Sequence, residues 1–123
     1  TFTRQQVIAM NGDNTGKQLK AVPRQMLSAG IVGGPPRLQG SATVSDIRGA
    51  FLDDANQRRL PAYTRVDTRL STGTGSLRLN VDLLNALDRK LVSTGFPDAS
   101  GTDVAYYYPG ARRTLQVGIG SAW

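Results

Sequence analysis

The chain has 123 residues, only 39% of them hydrophobic, with 14 Gly, three Phe and one Trp, which is a thin supply for a conventional globular core. It contains no Cys, His or Glu, which excludes disulfides, thiol chemistry and Cys-based zinc sites, and the usual general bases and metal ligands reduce to nine Asp. The net charge of +6 comes from Lys and Arg spread along the whole sequence, several of them alternating with apolar residues, which reads as a solvated or lumen-facing charge set and not as the clustered patch of a nucleic-acid binder.

No apolar run reaches the roughly 18 residues that a transmembrane helix needs, whereas a membrane-spanning strand needs only about 9–11. The chain opens at Thr1 without an initiator Met, a charged n-region or an apolar h-region. It is expected to be processed or to be a piece of something longer.

Turn signals cut the sequence into short segments at nearly regular spacing, which predicts an antiparallel meander of about six strands and not βαβ units. The first strand, over 1–9, is weakly patterned. A polar loop, Asn11-Gly12-Asp13-Asn14-Thr15-Gly16, precedes a second strand over 24–32 that sets Leu27, Ala29 and Ile31 on one face. A turn at Gly33-Gly34-Pro35-Pro36 leads to a third strand over 38–48, with Leu38, Gly40, Ala42 and Val44 together. A four-residue turn over 34–37 pairs Ile31 with Gly40, Ala29 with Ala42 and Leu27 with Val44. Residues 50–60 read as a longer loop.

The fourth and fifth strands, over 62–70 and 76–84, flank Gly73-Thr74, a Gly-X dipeptide suited to a type II′ turn. Pairing residue 72 with 75 sets Leu70 against Leu77, Thr68 against Leu79 and Val66 against Val81 on one face. On the other, Arg65 meets Asp82 and Asp67 meets Asn80, and Arg69 opposite Arg78 is the only like-charge pair. Beyond Leu84 two readings stand. Leu84, Leu87 and Leu91 have helical spacing over 81–91, while the hairpin favours strand as far as Leu84. After a loop over 91–109, the last strand, over 114–123, alternates Leu115, Val117, Ile119 and Trp123 against polar or small residues.

Long connections alternate with short turns, as the extracellular loops and periplasmic turns of outer-membrane barrels do. In that setting the apolar face meets lipid and the terminal aromatic sits in the interfacial girdle. In a soluble sandwich or small barrel the same face would be core.

Five segments in order carry a resemblance: Val22-Pro23-Arg24, Phe51-Leu52-Asp53-Asp54-Ala55-Asn56, Leu60-Pro61-Ala62-Tyr63-Thr64-Arg65-Val66-Asp67, Asn85-Ala86-Leu87-Asp88-Arg89-Lys90 and Tyr107-Tyr108-Pro109-Gly110-Ala111-Arg112-Arg113-Thr114. Together they resemble the C-terminal barrel strands of TonB-dependent outer-membrane receptors, over nearly the whole chain from about residue 17. The family's Asn-Leu-Phe-Asp pattern appears here as Asn85-Ala86-Leu87-Asp88. Leu91 and Asp46 stand where aromatics are more usual, and Trp123 replaces the commoner terminal Phe.

The resemblance implies that residues 1–123 are the C-terminal segment of a receptor barrel of about 22 strands, in the outer membrane of a Gram-negative bacterium. Such a receptor takes up ferric siderophores, cobalamin or similar scarce nutrients, driven by the TonB complex. It also implies partners: the remainder of the barrel and its plug, TonB through that plug, outer-membrane lipid, and the barrel-assembly machinery, which would read Trp123. Plug and TonB box are absent from this sequence. No nucleic-acid partner, cofactor, metal or catalytic residue is assigned.

Ligand-binding candidates fall in two sets. Tyr106, Tyr107 and Tyr108, at the expected extracellular mouth, could stack on an aromatic siderophore or sugar, or serve as girdle and loop packing. Arg65, Arg69 and Arg78, with Asp67 and Asp82, should line the lumen, either steering an anionic chelate inward or forming a salt-bridged ladder against plug and neighbouring strands. Asp53, Asp54, Asp98 and Asp103 could offer oxygen ligands to Ca²⁺, with loop solubility as the simpler role.

Overall fold

The computed structural model of the chain describes residues 1–10, 12–97 and 104–121. Among them are eight strands and no helix: β1 (Phe2–Arg4), β2 (Gln25–Gly33), β3 (Leu38–Arg48), β4 (Tyr63–Thr74), β5 (Leu77–Leu84), β6 (Val92–Pro97), β7 (Val104–Pro109) and β8 (Thr114–Ser121). Six form one sheet in the order β1-β2-β3-β4-β5-β8, and β6 with β7 forms a separate two-stranded sheet. The expected six-strand meander is therefore present, and its connections alternate long and short.

Several readings of the sequence need correction. The first strand is three residues long, not nine. The helical alternative over 81–91 does not form: β5 continues to Leu84 and a turn follows at 85–87. The stretch over 91–109, read as loop, holds the β6–β7 hairpin, with Thr94 paired to Tyr108, Gly95 to Tyr107 and Phe96 to Tyr106. Its β-branched and aromatic content is the ordinary composition of strands.

The chain divides into two compact units, each described by itself. The sheet unit comprises 28–45, 64–89 and the sequence from Ala111 onward. In it β4 pairs with β5 through Thr74↔Leu77, Leu70↔Val81 and Arg69↔Asp82. The expected register is displaced by four residues, since Leu70 meets Val81 and not Leu77. The turn is Gly75-Ser76, where Gly75 takes φ 57°, the positive value that the first central position of a type II′ turn requires. Gly73-Thr74 and Gly75-Ser76 are both Gly-X dipeptides, and an even displacement leaves every side chain on its face. Charge separates the two registers: the observed one sets Arg69 opposite Asp82 and Arg78 opposite Gly73, removing the Arg69–Arg78 clash.

β8 continues the sheet on β5, pairing Leu83↔Leu115, Val81↔Val117 and Leu79↔Ile119. One face of this three-stranded region thus carries the rows Thr68–Leu83–Leu115, Leu70–Val81–Val117 and Thr72–Leu79–Ile119. The opposite face carries Arg69–Asp82–Gln116, Ser71–Asn80–Gly118 and Gly73–Arg78–Gly120.

The loop unit comprises 1–27, 46–63 and 90–110. It holds every fully buried apolar side chain of the described residues: Ala50, Phe51, Leu52, Leu60 and Leu91. No residue of the six-stranded sheet is fully buried. The sheet has no core of its own.

Candidate functional site

The loop unit is tied together by side-chain amides standing in for backbone. Gln18 is 2% exposed. Its Nε2 donates to the Val22 and Gly49 carbonyls, and its Oε1 accepts from Arg24 Nε at 2.5 Å. Asn56, at φ 59°, accepts from the Gln18 N–H at 2.6 Å and donates to the Gln18 carbonyl at 2.7 Å, as a neighbouring strand would. Asp53 accepts from the N–H groups of Gln57 and Arg58, and Asp54 pairs with Lys20 at 3.1 Å. The Pro23-Arg24 and Leu52-Asp53-Asp54-Ala55-Asn56 segments are thus architecture: they close long loops and seat Phe51 and Leu52 inside. Asp98 and Asp103 lie outside the described residues, as does Asn11. Among the described residues no three His, Cys, Asp or Glu side chains come together.

On this base sits the β6–β7 hairpin. Gly95 is buried, and a Cβ built there would lie 2.5 Å from the Tyr106 carbonyl oxygen, 3.1 Å from Leu52 Cδ1 and 3.2 Å from Tyr107 Cδ1. Glycine at 95 therefore lets the Tyr107 side of the hairpin close down on the core. The register sends Phe96, Tyr106 and Tyr108 to the opposite side, where all three are exposed, Tyr106 by 72%. Phe96 and Tyr108 make an edge-to-face contact, centroids 5.8 Å apart and planes at 78°. Such a face offers flat apolar area with phenolic hydroxyls at its margin, suited to stacking on a planar ligand. Tyr107, on the Gly95 side of the hairpin, is itself half-exposed at 49%, so the three tyrosines divide between the two faces of the hairpin and all reach the surface. Phe96 was missed by sequence reasoning because its strand was read as loop.

In the sheet unit the polar face gathers the predicted lumen residues in a different arrangement from the expected one. Arg69 forks onto Asp82 at 2.5 and 3.0 Å. Arg65, expected opposite Asp82, instead reaches Asp67 along its own strand at 2.8 Å. Arg78 stands between Gly73 and Gly120. Ser41, Thr43, Asp67, Arg69 and Asp82 border a shallow polar cleft of about 240 Å³ on this face.

The Asn85-Ala86-Leu87-Asp88 motif ties β5 to the approach to β8. Asn85 is 1% exposed, with φ 50°. Its Nδ2 donates to the carbonyls of Arg89 (2.8 Å) and Ala111 (3.1 Å), its Oδ1 accepts from the Arg89 N–H (3.0 Å), and its own N–H donates to Asp67 (2.9 Å). Asp88, at φ 51°, accepts both arms of Arg112 at 2.9 and 2.6 Å and the Arg113 N–H at 3.0 Å. The Arg112 hydrogen bonds, followed by the Arg113 N–H, hold the Asp88 carboxyl far below the usual carboxylate range. In the unfolded chain that carboxyl titrates near about 4. Because the folded value is the lower, the contribution is complete above that range and is lost as pH falls below it. Asp88→Asn should therefore lower the urea midpoint at neutral pH and flatten its decline below about pH 4; an unchanged acid limb would show that this carboxylate is not linked to folding.

Trp123 lies outside the described residues. No family model and no curated protein matches the sequence. Solved structures do share the fold. The siderophore receptor PiuA from Acinetobacter baumannii matches with a TM-score of 0.70 at 19% identity, over 86% of this chain and 14% of that one. BauA, the ferric preacinetobactin receptor from the same organism, matches with a TM-score of 0.68 at 20% identity, over 98% of this chain and 18% of that one. The chain spans less than a fifth of either receptor. At this identity the likeness is one of fold, an antiparallel meander of the kind found in β-barrel receptors.

Proposed function

We propose that this chain is the C-terminal segment of the β-barrel of an outer-membrane uptake receptor, without enzymatic activity, whose cargo is a scarce nutrient held as a chelate or cofactor, such as a ferric siderophore or cobalamin. One observation carries the reading. The sheet buries none of its residues, yet sorts them into an apolar face continuous across β4, β5 and β8 and a polar face opposite. In water such an apolar surface is an aggregation liability. Against lipid it is the outside of a barrel, with the polar face toward the lumen.

The remaining assignments rest on the resemblance to TonB-dependent receptors. Six strands are too few to close, since small barrels need about eight. β8, last in the sheet order, pairs in the whole receptor with a strand from elsewhere in it. The other partners are a plug, TonB acting through that plug, and the barrel-assembly machinery engaging Trp123. The Phe96–Tyr106–Tyr108 face contacts ligand at the extracellular mouth, and Arg65, Arg69 and Arg78 face the lumen.

Detergent dependence tests the reading. The purified chain should remain dispersed only in detergent or lipid and show β-structure there. A monomer in plain buffer with a cooperative melt would overturn it in favour of a soluble all-β binding module.

A further inference from the structure

We propose that the cleft between the turn at 34–37 and the end of the β4–β5 hairpin is a carboxylate site, which takes an acidic side chain from a polypeptide segment lying against the polar face of the sheet. The inference rests on the receptor reading, in which another part of the receptor fills the lumen, and it names the chemistry of that neighbour.

The cleft measures about 120 Å³, and its lining includes Arg37, Gln39, Ser71, Gly73, Arg78 and Asn80, with no acidic residue. That is room for several water-sized groups. Arg37 is pinned beside β4 by its carbonyl, which accepts from Thr72 Oγ1 at 2.8 Å and from the Gly73 N–H at 3.3 Å. Arg78 rises from β5 with Gly73 on one neighbouring strand and Gly120 on the other. A Cβ added at Gly118 or Gly120 would meet nothing within 4 Å, so a second backbone can come close to β8 here.

Charge identifies the occupant. The acids of this face are already engaged: Asp82 by Arg69, and Asp67 by Arg65 and the Asn85 N–H. Among the described residues neither the Arg37 nor the Arg78 guanidinium has an ion-pair or hydrogen-bond partner. Two uncompensated guanidiniums at one cleft, with Ser71 and Asn80 paired beside them, suit the planar fork of a carboxylate. The Ser71, Gly73, Arg78 and Asn80 positions belong to the polar face, away from lipid, while Thr72 and Leu77 at the cleft's edge lie on the apolar one, where Arg37 also borders a hollow with Leu77 and Leu79.

The 123-residue chain, refolded in zwitterionic micelles, is titrated with a capped Gly-Asp-Gly-Asp-Gly peptide while amide shifts at Gly73 and Gly120 are followed by NMR. Saturable shifts are expected. The Arg37→Gln/Arg78→Gln variant should weaken the peptide about tenfold, and Arg113→Gln should leave it unchanged. Arg78→Gln alone, with wild-type β-structure by circular dichroism, should weaken it about threefold and serves if the double variant does not refold. Absence of saturation, an equal response to the Asn-substituted peptide, or indifference to the Arg variants would overturn the site. Inorganic phosphate saturating where the peptide does not would reduce it to a small-anion site and overturn the polypeptide assignment. A chain that stays monomeric without detergent would instead refute the receptor reading, with the titration still readable.

Discussion

Asn85→Ala should cost about 3–5 kcal/mol of stability, the largest loss expected from any single truncation in the chain. The side chain is buried and forms three hydrogen bonds, donating to two carbonyls and accepting from one N–H, which truncation leaves unpaired. Each unsatisfied buried group costs roughly 1–3 kcal/mol, with the lower end apt where the neighbours are partly wet. Alanine also inherits φ 50°, a left-handed conformation that costs a Cβ-bearing residue about 1 kcal/mol and glycine almost nothing. Asn85→Gly should therefore be less damaging than Asn85→Ala by about 1 kcal/mol, which separates backbone strain from lost hydrogen bonds. Asn85→Asp keeps the acceptor for the Arg89 N–H but sets a charge against both carbonyls, and should be no better than Ala at neutral pH. Urea midpoints of the four proteins in one detergent decide it. A loss below about 1 kcal/mol for Ala would mean that the residue 111 carbonyl is satisfied another way.

How much of this was legible beforehand follows from what each pattern specifies. Alternation fixes faces, so Leu115, Val117 and Ile119 were separable from Gln116, Gly118 and Gly120 in advance. Alternation does not fix register, because a displacement by an even number preserves the faces. With Gly73-Thr74 and Gly75-Ser76 both suited to the turn, only the Arg69–Arg78 clash pointed to the alternative that forms, in which Arg69 meets Asp82.

The loop unit was the least legible part. Its order depends on contacts between residues far apart in sequence, such as Gln18 with Asn56 and Arg24 with Gly49, and such contacts leave no periodicity. The resemblance motifs were recognisable as strings, but the structure gives their physical content. Asn56, Asn85 and Asp88 are residues able to hold positive φ while their side chains replace missing backbone partners. Of the candidate site, the tyrosines were visible as an aromatic run. Which face of the hairpin each occupies became clear only from the β6–β7 register, which sets Tyr107 across from Gly95 and brings Phe96 beside Tyr108.

Val117→Arg distinguishes lipid from water at the apolar face. Val117 lies mid-strand in the row Leu70–Val81–Val117 and is 62% exposed in the chain alone. If that surface meets water, a charged residue there is an ordinary surface substitution, within about 0.5 kcal/mol of neutral, and it should relieve aggregation. If it meets the hydrocarbon of a bilayer, arginine near the midplane costs about 2–4 kcal/mol, falling to about 0–1 kcal/mol toward the interface. Ser121→Arg, on the same face at the strand end, should accordingly cost little. Gln116→Arg, whose neighbour across the strand is Asp82 on the polar face, should cost almost nothing in either medium. The expected outcome in lipid vesicles, read by folding yield and urea midpoint, is a penalty at 117 that is absent at 116 and small at 121. Equal penalties at 116 and 117 would place both faces in one environment and refute a lipid-facing side. A penalty at 117 that persists undiminished in plain buffer would mean that protein, not lipid, covers the row.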